Sequence, residues 1–517
     1  MKEQSRTGYS ILNASVSSVI RILTIILGYV SRMVFVRMLD QYYVGINGLF
    51  LEYFKLLSLS ELGISTAITY ALYKPIAEGD TEKQKSVMDL YRRFYNIVAM
   101  VVLISGLLLF PFLDVLIKDN PSVEHLQLIY LLYLANTVVS YLFVYKKTLI
   151  DAHQRMYVSM WYYGVFLTLQ YVLQMIILVC TKNFILYLVV FLICTLLHNI
   201  LISQKASRLY PYIKEKAIMP LSAEDKHGIA NNIKAMFMHK IGSVVVANTD
   251  SLLISSMVGI VSTACYTNYR LVIGSVQQVL NQLFQGVSAS IGNLGAEEDE
   301  KKLTDVFGSM FLVGFWVYGF SAVCLFELLD PFVALSFGEQ YIFSVDITFI
   351  LSLNFYLTGI RQPVLSFRDS LGLFWYDRYK SIAEAALNLI VSVLLAVFWG
   401  TAGVFWGTLI STVLVPLWVE PYVLYKHRFK QPLRSYFVKL CLYTLVLLLS
   451  GIMTYSICSH IHGDYVRQLF LRMPVCLIIP NVMIWLCVHR TEEYKSLMGR
   501  IRQFIKRKKS FNHSGDN

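Results

Sequence analysis

The chain has 517 residues, of which 56% are hydrophobic and 15% charged, and its formal charge is +12. Soluble domains run about 45–50% apolar and about 25% charged, so a chain of mean hydropathy +0.56 cannot cover itself with polar surface in water. A basic excess in a soluble protein would suggest nucleic acid; here the cations lie mostly in short segments between apolar runs, which is the footprint of membrane topology and gives no reason to expect a nucleic-acid partner.

In chain order, apolar runs long enough to cross about 30 Å of hydrocarbon as a helix are predicted at residues 11–36, 43–72, 94–116, 126–145, 157–180, 184–203, 229–257, 261–292, 305–327, 346–367, 381–399, 402–424, 437–457 and 468–488. The second and eighth are long enough to tilt or to extend past the membrane. The ~10-residue alternation of a transmembrane barrel is not seen. The first run is longer than a signal core, contains Arg21 and has no small-residue cleavage motif after it, so no cleavable signal is expected. The eight cysteines sit in or beside apolar runs without a CxxC, which predicts buried thiols, no disulfide frame and no metal site.

With the N-terminus inside, the inside segments carry 33 Lys and Arg and the outside segments five, with seven more within spans. That bias predicts an even number of spans and both termini in the cytoplasm. The final segment, near Leu497, Met498, Ile501, Phe504 and Ile505, interleaves apolar residues with Arg500, Arg502 and Lys506 to Lys509. It reads either as an amphipathic helix on an anionic leaflet or as a basic tail.

The two parts of the chain repeat. Asn13 matches Asn232, Arg21 matches Lys240, Asn47 matches Asn268, Asp114 matches Asp330, Asn136 matches Asn354 and Asp151 matches Asp369, at offsets of 216 to 221. Each repeat holds six spans, an even number, so both enter the membrane in the same sense and their relating axis should lie along the membrane normal. The expected architecture is an all-α membrane protein of about 14 transmembrane helices. It comprises an N-terminal lobe (1–218), a second lobe (219–425) related to it by a pseudo-twofold, two accessory C-terminal helices (426–490) and a basic cytoplasmic tail (491–517).

Several cations lie where the bilayer should exclude them, at a cost of at least about 2.5–3.5 kcal/mol each on the insertion scale. Arg21 stands about ten residues into the first span and Lys240 equally deep in the seventh. Ser17, Arg21, Thr24, Gly28 and Arg32 form one helical stripe, matched by Met236, Lys240, Ser243, Ala247 and Ser251. Lys55, Arg270 and Arg361 add cations at intermediate depth. Two readings stand for these residues. In one they line a cavity that attracts a phosphate or pyrophosphate group, Arg as a fork and Lys as a point charge. In the other they pair with intramembrane acids such as Glu52, Glu61 or Asp250; Lys55, three residues after Glu52, fits that reading well, and Arg32 could instead snorkel. Asp250, Glu61 and Glu384 are open both to coupling a proton or Na⁺ and to serving as helix-end partners. No nucleotide loop, zinc spacing or nucleophile–base set appears, and the His460–His462 pair reads as solvated, so neither an enzyme nor a cofactor is expected.

Three stretches carry a family resemblance. They are residues 39–68, with Gly45 and then Leu62-Gly63-Ile64-Ser65-Thr66-Ala67; Asp250-Ser251-Leu252-Leu253-Ile254-Ser255 through Gly259 to Tyr266 and Tyr269; and Lys380, Glu384-Ala385, Asn388-Leu389-Ile390, Ser392, Gly403-Val404 and Gly407-Thr408-Leu409-Ile410-Ser411. With them the chain resembles, over its whole length, the O-antigen-type polysaccharide flippases of the multidrug/oligosaccharidyl-lipid/polysaccharide exporter superfamily. The resemblance implies export of undecaprenyl-pyrophosphate-linked oligosaccharide across the bacterial plasma membrane for a surface polysaccharide such as O-antigen or capsule. It also implies a cavity lined by basic residues on the helices of Arg21, Lys240 and Arg270, a monomer, and a polysaccharide polymerase and chain-length machinery as partners. A lipid II flippase and a drug or metabolite exporter are the rival readings on the same scaffold. A membrane polymerase or ligase fits less well, because the outer loops are short.

Overall fold

The structure, a computed structural model, describes all residues except 1–5, 58–63, 114–116, 118–122, 144, 216–218, 224–226, 228, 231–247, 286–290, 292–299 and 500–517. It divides into two compact units, Met1–Thr267 and Asn268–Asn517. The described residues are helical, without strands.

The first unit holds α1 (Arg6–Met38), α2 (Gln41–Leu57), α3 (Ile64–Ala77), α4 (Thr81–Leu109), α5 (Leu126–Tyr141), α6 (Tyr145–Ala152), α7 (Met156–Thr181) and α8 (Phe184–Leu209). Helix α9 (Ile260–Gln285) carries the boundary between the units. Local chemistry sets the turns. At the end of α3, Gly79 takes φ +71° and the Asp80 N–H returns to Pro75 O at 2.9 Å; the Asp80 carboxylate then accepts the Lys83 N–H at 2.8 Å and caps α4. Lys182, left-handed at φ +52°, and Asn183, whose side chain accepts the Leu186 N–H at 3.0 Å, make a two-residue turn between α7 and α8. The core of this unit is aromatic. Phe50 meets Tyr130 and Tyr133 edge-on, the Tyr133 hydroxyl donates to Asn47, and Tyr130 donates to Gly106 O at 2.8 Å. Gly45, part of the family resemblance, is required by packing: a Cβ there would lie 2.3 Å from Ile260 O.

The second unit holds α10 (Glu300–Phe337), α11 (Val345–Ile360), α12 (Gln362–Ser370), α13 (Lys380–Leu414), α14 (Pro416–Leu424), α15 (Arg434–Cys458) and α16 (Tyr465–Val488). Helix α13 is two passes, because Gly400 breaks it at φ +55°. The halves return on each other closely: a Cβ at Gly403 would meet Leu395 O at 2.2 Å, and one at Gly407 would meet Ser392 Oγ at 2.2 Å. Asn388 Nδ2 donates to Thr408 Oγ1 at 3.0 Å. The family-like residues of this stretch are thus the seam of a helical hairpin. The accessory helices are tied to α10 by Trp316 donating to Asn481 Oδ1 at 2.7 Å and by Arg472 beside Glu327 at 3.9 Å.

The repeat is visible in details of each unit. Lys182 and Gly400, 218 positions apart, are both left-handed and both turn a hairpin. Gln174 reaches Tyr187 O at 3.2 Å and Ser392, again 218 positions on, reaches Val404 O at 3.1 Å. The fourth span of each repeat is broken, α5 from α6 with a bend of 41° and α11 from α12 at Arg361.

Eight helices of the described residues are long and apolar enough to cross a membrane, nine if α5 and α6 form one bent span. The sequence predicts fourteen spans; α9, though 26 residues long, is not among the nine, and three features account for the other four. The stretch Lys380–Phe429 counts once although it folds back at Gly400; α2, α3 and α11 are individually short, at 17, 14 and 16 residues; and most of the seventh span lies outside the described residues.

Candidate functional site

The α1 stripe is present in the first unit. Arg21 is exposed on α1, flanked by exposed Ile22 and Leu23. Among the described residues it makes no ion pair. Thr24 Oγ1 donates back to Arg21 O at 2.9 Å. A Cβ at Gly28 would stand 3.2 Å from the Tyr171 hydroxyl, so α1 and α7 approach closely there. Arg32 is used differently. Its guanidinium donates to Thr267 Oγ1 at 2.8 Å and lies 5.4 Å from the Phe35 ring centroid, within cation–π range.

Lys55 and Glu52 form the i,i+3 pair that their spacing allows, at 2.9 Å, with Glu52 nearly buried and Lys55 reaching outward. Asp250 is buried in the first unit. Lys240 and Glu61 lie outside the described residues, as does the tail beyond residue 499.

Arg270 is half-buried on α9. Arg361 sits at the break between α11 and α12, at the centre of a charge network. Glu420, on α14 and fully buried, accepts Arg361 Nε at 3.0 Å and Nη2 at 2.7 Å, and Lys380 Nζ at 2.5 Å. Arg361 Nη1 is 3.9 Å from Glu384. Asp377 adds contacts to Lys380 at 3.4 Å and to Arg368 at 2.6 Å. Charges this deep persist only when paired and hydrogen-bonded, and the bidentate guanidinium–carboxylate fork is the strongest form available. The structure therefore brings together Arg361, open in the sequence to a cavity or a pairing role, and Glu384, open to coupling or to helix-end pairing, inside one network whose hub is Glu420. Glu420 was not read from the sequence, although an acid between Pro416 and Pro421 in an apolar run is a visible signal.

Two further cavities border these elements. In the first unit, an open one of about 550 Å³ is walled by Val16, Tyr157, Trp161, Tyr162 and Phe166 with Lys205 at its edge. In the second, α10, α11 and α15 enclose an apolar cleft of about 240 Å³ lined by Val323, Phe326, Phe349, Leu447, Ile452 and Tyr455. Its walls suit a hydrocarbon chain and little else. Among the described residues no group of three or more His, Cys, Asp or Glu is placed to hold a metal ion. His460 is exposed and its ring nitrogen lies 2.7 Å from Ser456 O.

No family model and no curated protein matches the chain. Solved structures do. A lipid II flippase, MurJ, in an inward closed conformation aligns with a TM-score of 0.66 and 14% identity, covering 92% of this chain and 98% of that one. An inward-facing multidrug resistance MATE family transporter of the MOP superfamily gives 0.61 and 15% identity over 80% and 98%. A mutant of the Vibrio cholerae MATE transporter VcmN gives 0.53 and 15% over 82% and 98%. At these identities the likeness establishes a shared fold and no more.

Proposed function

We propose that the chain is a flippase that moves undecaprenyl-pyrophosphate-linked oligosaccharide across the bacterial plasma membrane by alternating access, for surface polysaccharide synthesis. The observation that carries the reading is Arg21: a cation roughly 15 Å into an apolar helix by its sequence depth, exposed on the first unit and without an ion pair among the described residues. A pyrophosphate head is the ligand such a cation fits. Lys240 is its repeat counterpart, Arg32 lies further along the same helix, and Lys55 and Arg270 are further candidate cations. Arg361, in this reading, holds the network around Glu420, and the pyrophosphate falls to the other cations.

The coverage values add support. The likeness to the flippase spans an eighth more of the chain than the likeness to the MATE transporter, which is about the length of the α15–α16 hairpin at 434–488. The lipid II flippase likeness also favours a second reading, a peptidoglycan precursor, whose polyprenyl-pyrophosphate head presents the same chemistry to Arg21. The positive-inside bias supports a cytoplasmic location for both termini. The driving force would be a proton or Na⁺ carried by Asp250, Glu61 or Glu384, or the membrane potential acting on cavity charge. The chain would act as a monomer beside a polymerase and its chain-length machinery.

The test is transfer of labelled lipid-linked oligosaccharide in vesicles. Arg21→Ala with Lys240→Ala should cut transfer by at least about tenfold, the loss of one charge-assisted contact. Undiminished transfer by a stably inserted double variant removes the assignment.

A further inference from the structure

The Lys/Arg-rich end of the first unit holds a cavity that the flippase reading does not use. It has a volume of about 340 Å³ and lies among α4, α6 and the short Pro211–Lys214 turn after α8. Four cations line it, Lys85, Arg92, Lys146 and Lys214, against two carboxylates, Asp89 and Glu215. Both carboxylates are taken. Asp89 accepts Arg92 at 2.6 Å on one oxygen and Arg93 at 2.8 Å on the other. Glu215 accepts Lys85 at 2.8 Å, and Lys85 also meets Glu82 at 2.6 Å. Lys146 and Lys214 have no carboxylate partner among the described residues. Lys146 is half-buried, and its ammonium is steadied by Ser207 Oγ at 3.0 Å.

The repeat shows that this is no general property of the fold. At positions 218 residues later, Asp89, Lys146 and Ser207 are replaced by Phe307, Val364 and Tyr425. There Phe307 packs its ring 5.2 Å from Phe367, 5.1 Å from Phe429 and 6.0 Å from Tyr425, and Val364 is fully buried. One unit fills the place with rings. The other keeps it open and lines it with surplus positive charge.

We propose that this cavity is a binding site for a phosphate-class anion, seated on Lys146 and Lys214. Two ammonium groups with no carboxylate of their own repel each other, and an oxyanion between them relieves that repulsion and supplies acceptors for their remaining N–H donors. Arg92, half-exposed and oriented by Asp89, is a further donor to a second phosphate oxygen, while buried Lys85 is held by Glu82 and Glu215. The volume leaves room for a phosphate with several waters, or for a phosphate carried on a lipid headgroup. The bound anion would join α4, α6 and the Pro211–Lys214 turn, which also meet where Thr148 Oγ1 of α6 donates to the Tyr91 hydroxyl at 3.2 Å and the Tyr212 hydroxyl of the turn donates to Gln84 Oε1 at 2.5 Å, both on α4.

Amine labelling of the purified full-length protein, read by mass spectrometry, tests the site. One arm adds pyrophosphate, a second adds short-chain phosphatidylglycerol, and phosphatidylcholine is the control. In at least one of the first two arms, labelling of Lys146 and Lys214 should slow about tenfold while exposed Lys182 is unchanged. Protection by pyrophosphate alone assigns a soluble phosphate, by phosphatidylglycerol alone a lipid headgroup, and by both the shared group. Lys214→Ala changes an exposed side chain, so folding is not at stake, and it should weaken the protection of Lys146 by about tenfold. Arg21→Ala should leave that protection intact, which separates this site from the proposed transport path. No protection in either arm, or full protection of Lys146 in Lys214→Ala, overturns the proposal.

Discussion

The same register of the repeat is built in opposite ways in the two units. Around Asp89 and Lys146 the first unit keeps charged groups at the edge of an open cavity; around Phe307 and Val364 the second packs four aromatic rings edge-on or tilted. Beside Val364 in sequence, at Arg361, the second unit buries its own charges, with Glu420 between Arg361 and Lys380. The contrast teaches that a membrane lobe can treat its basic end either as a binding surface or as packed interior. In the interior case the charges must cancel among themselves.

The largest expected effect tests that cancellation. Glu420→Ala leaves Arg361 and Lys380 buried without their shared carboxylate, a loss of about 3–5 kcal/mol. Most of the protein should then fail to elute as a single species in detergent gel filtration. Recovery at wild-type yield would mean that water, and not Glu420, supports those cations. The next effect sets the two registers against each other by thermal unfolding. Phe307→Ala should cost about 3 kcal/mol through the hole it leaves. Asp89→Ala should cost under about 1 kcal/mol, since the side chains of Arg92 and Arg93 are 50% and 72% exposed and can turn to water. Equal losses at the two positions would erase the distinction.

The smallest effect lies at the end of the accessory hairpin, beyond α16. Partial burial pushes the Glu493 carboxyl up, but the Lys439 ammonium that it accepts outweighs burial and holds it below the ordinary glutamate value. A depressed folded pKa contributes stability that is complete above the unfolded value, about 4.3, and is lost as pH falls through the folded one. Glu493→Gln should therefore lower the unfolding free energy slightly at neutral pH, by less than about 1 kcal/mol, read as a small drop in melting temperature. Its difference from wild type should close under acid. A difference that grows on acidification would contradict the pairing.

Much of the fold is written in local pattern. The spans follow from apolar length, and the hairpin seam of α13 follows from Gly403, Gly407 and Asn388, whose spacing shows in sequence even though its cause, helices in near contact, appears only in three dimensions. The broken fourth spans were not legible as breaks. The sequence carries Pro363 just after Arg361 in one repeat, yet only Phe143, left-handed at φ +68°, near the equivalent place in the other. The site was less legible still. The isolation of Arg21 follows from its depth in an apolar run. The pairing of Arg361 depends on a residue 59 positions away that no local rule connects to it. The open cavity at Lys146 escaped sequence reading because its basic residues look like ordinary inner-loop cations. Only the neighbouring turn at Pro211–Lys214 turns them into walls.

That 59-residue separation also matters for biosynthesis. Chains emerge from the ribosome at about 5–20 residues per second, so Arg361 waits roughly 3–12 s before Glu420 is made. During that interval the nearest carboxylates made are Glu384, which ends 3.9 Å from Arg361, and Asp377, which ends 3.4 Å from Lys380. The bidentate fork on Arg361 forms only when α14 delivers Glu420. The last helices of the second lobe, by this order of events, lock the earlier ones into place.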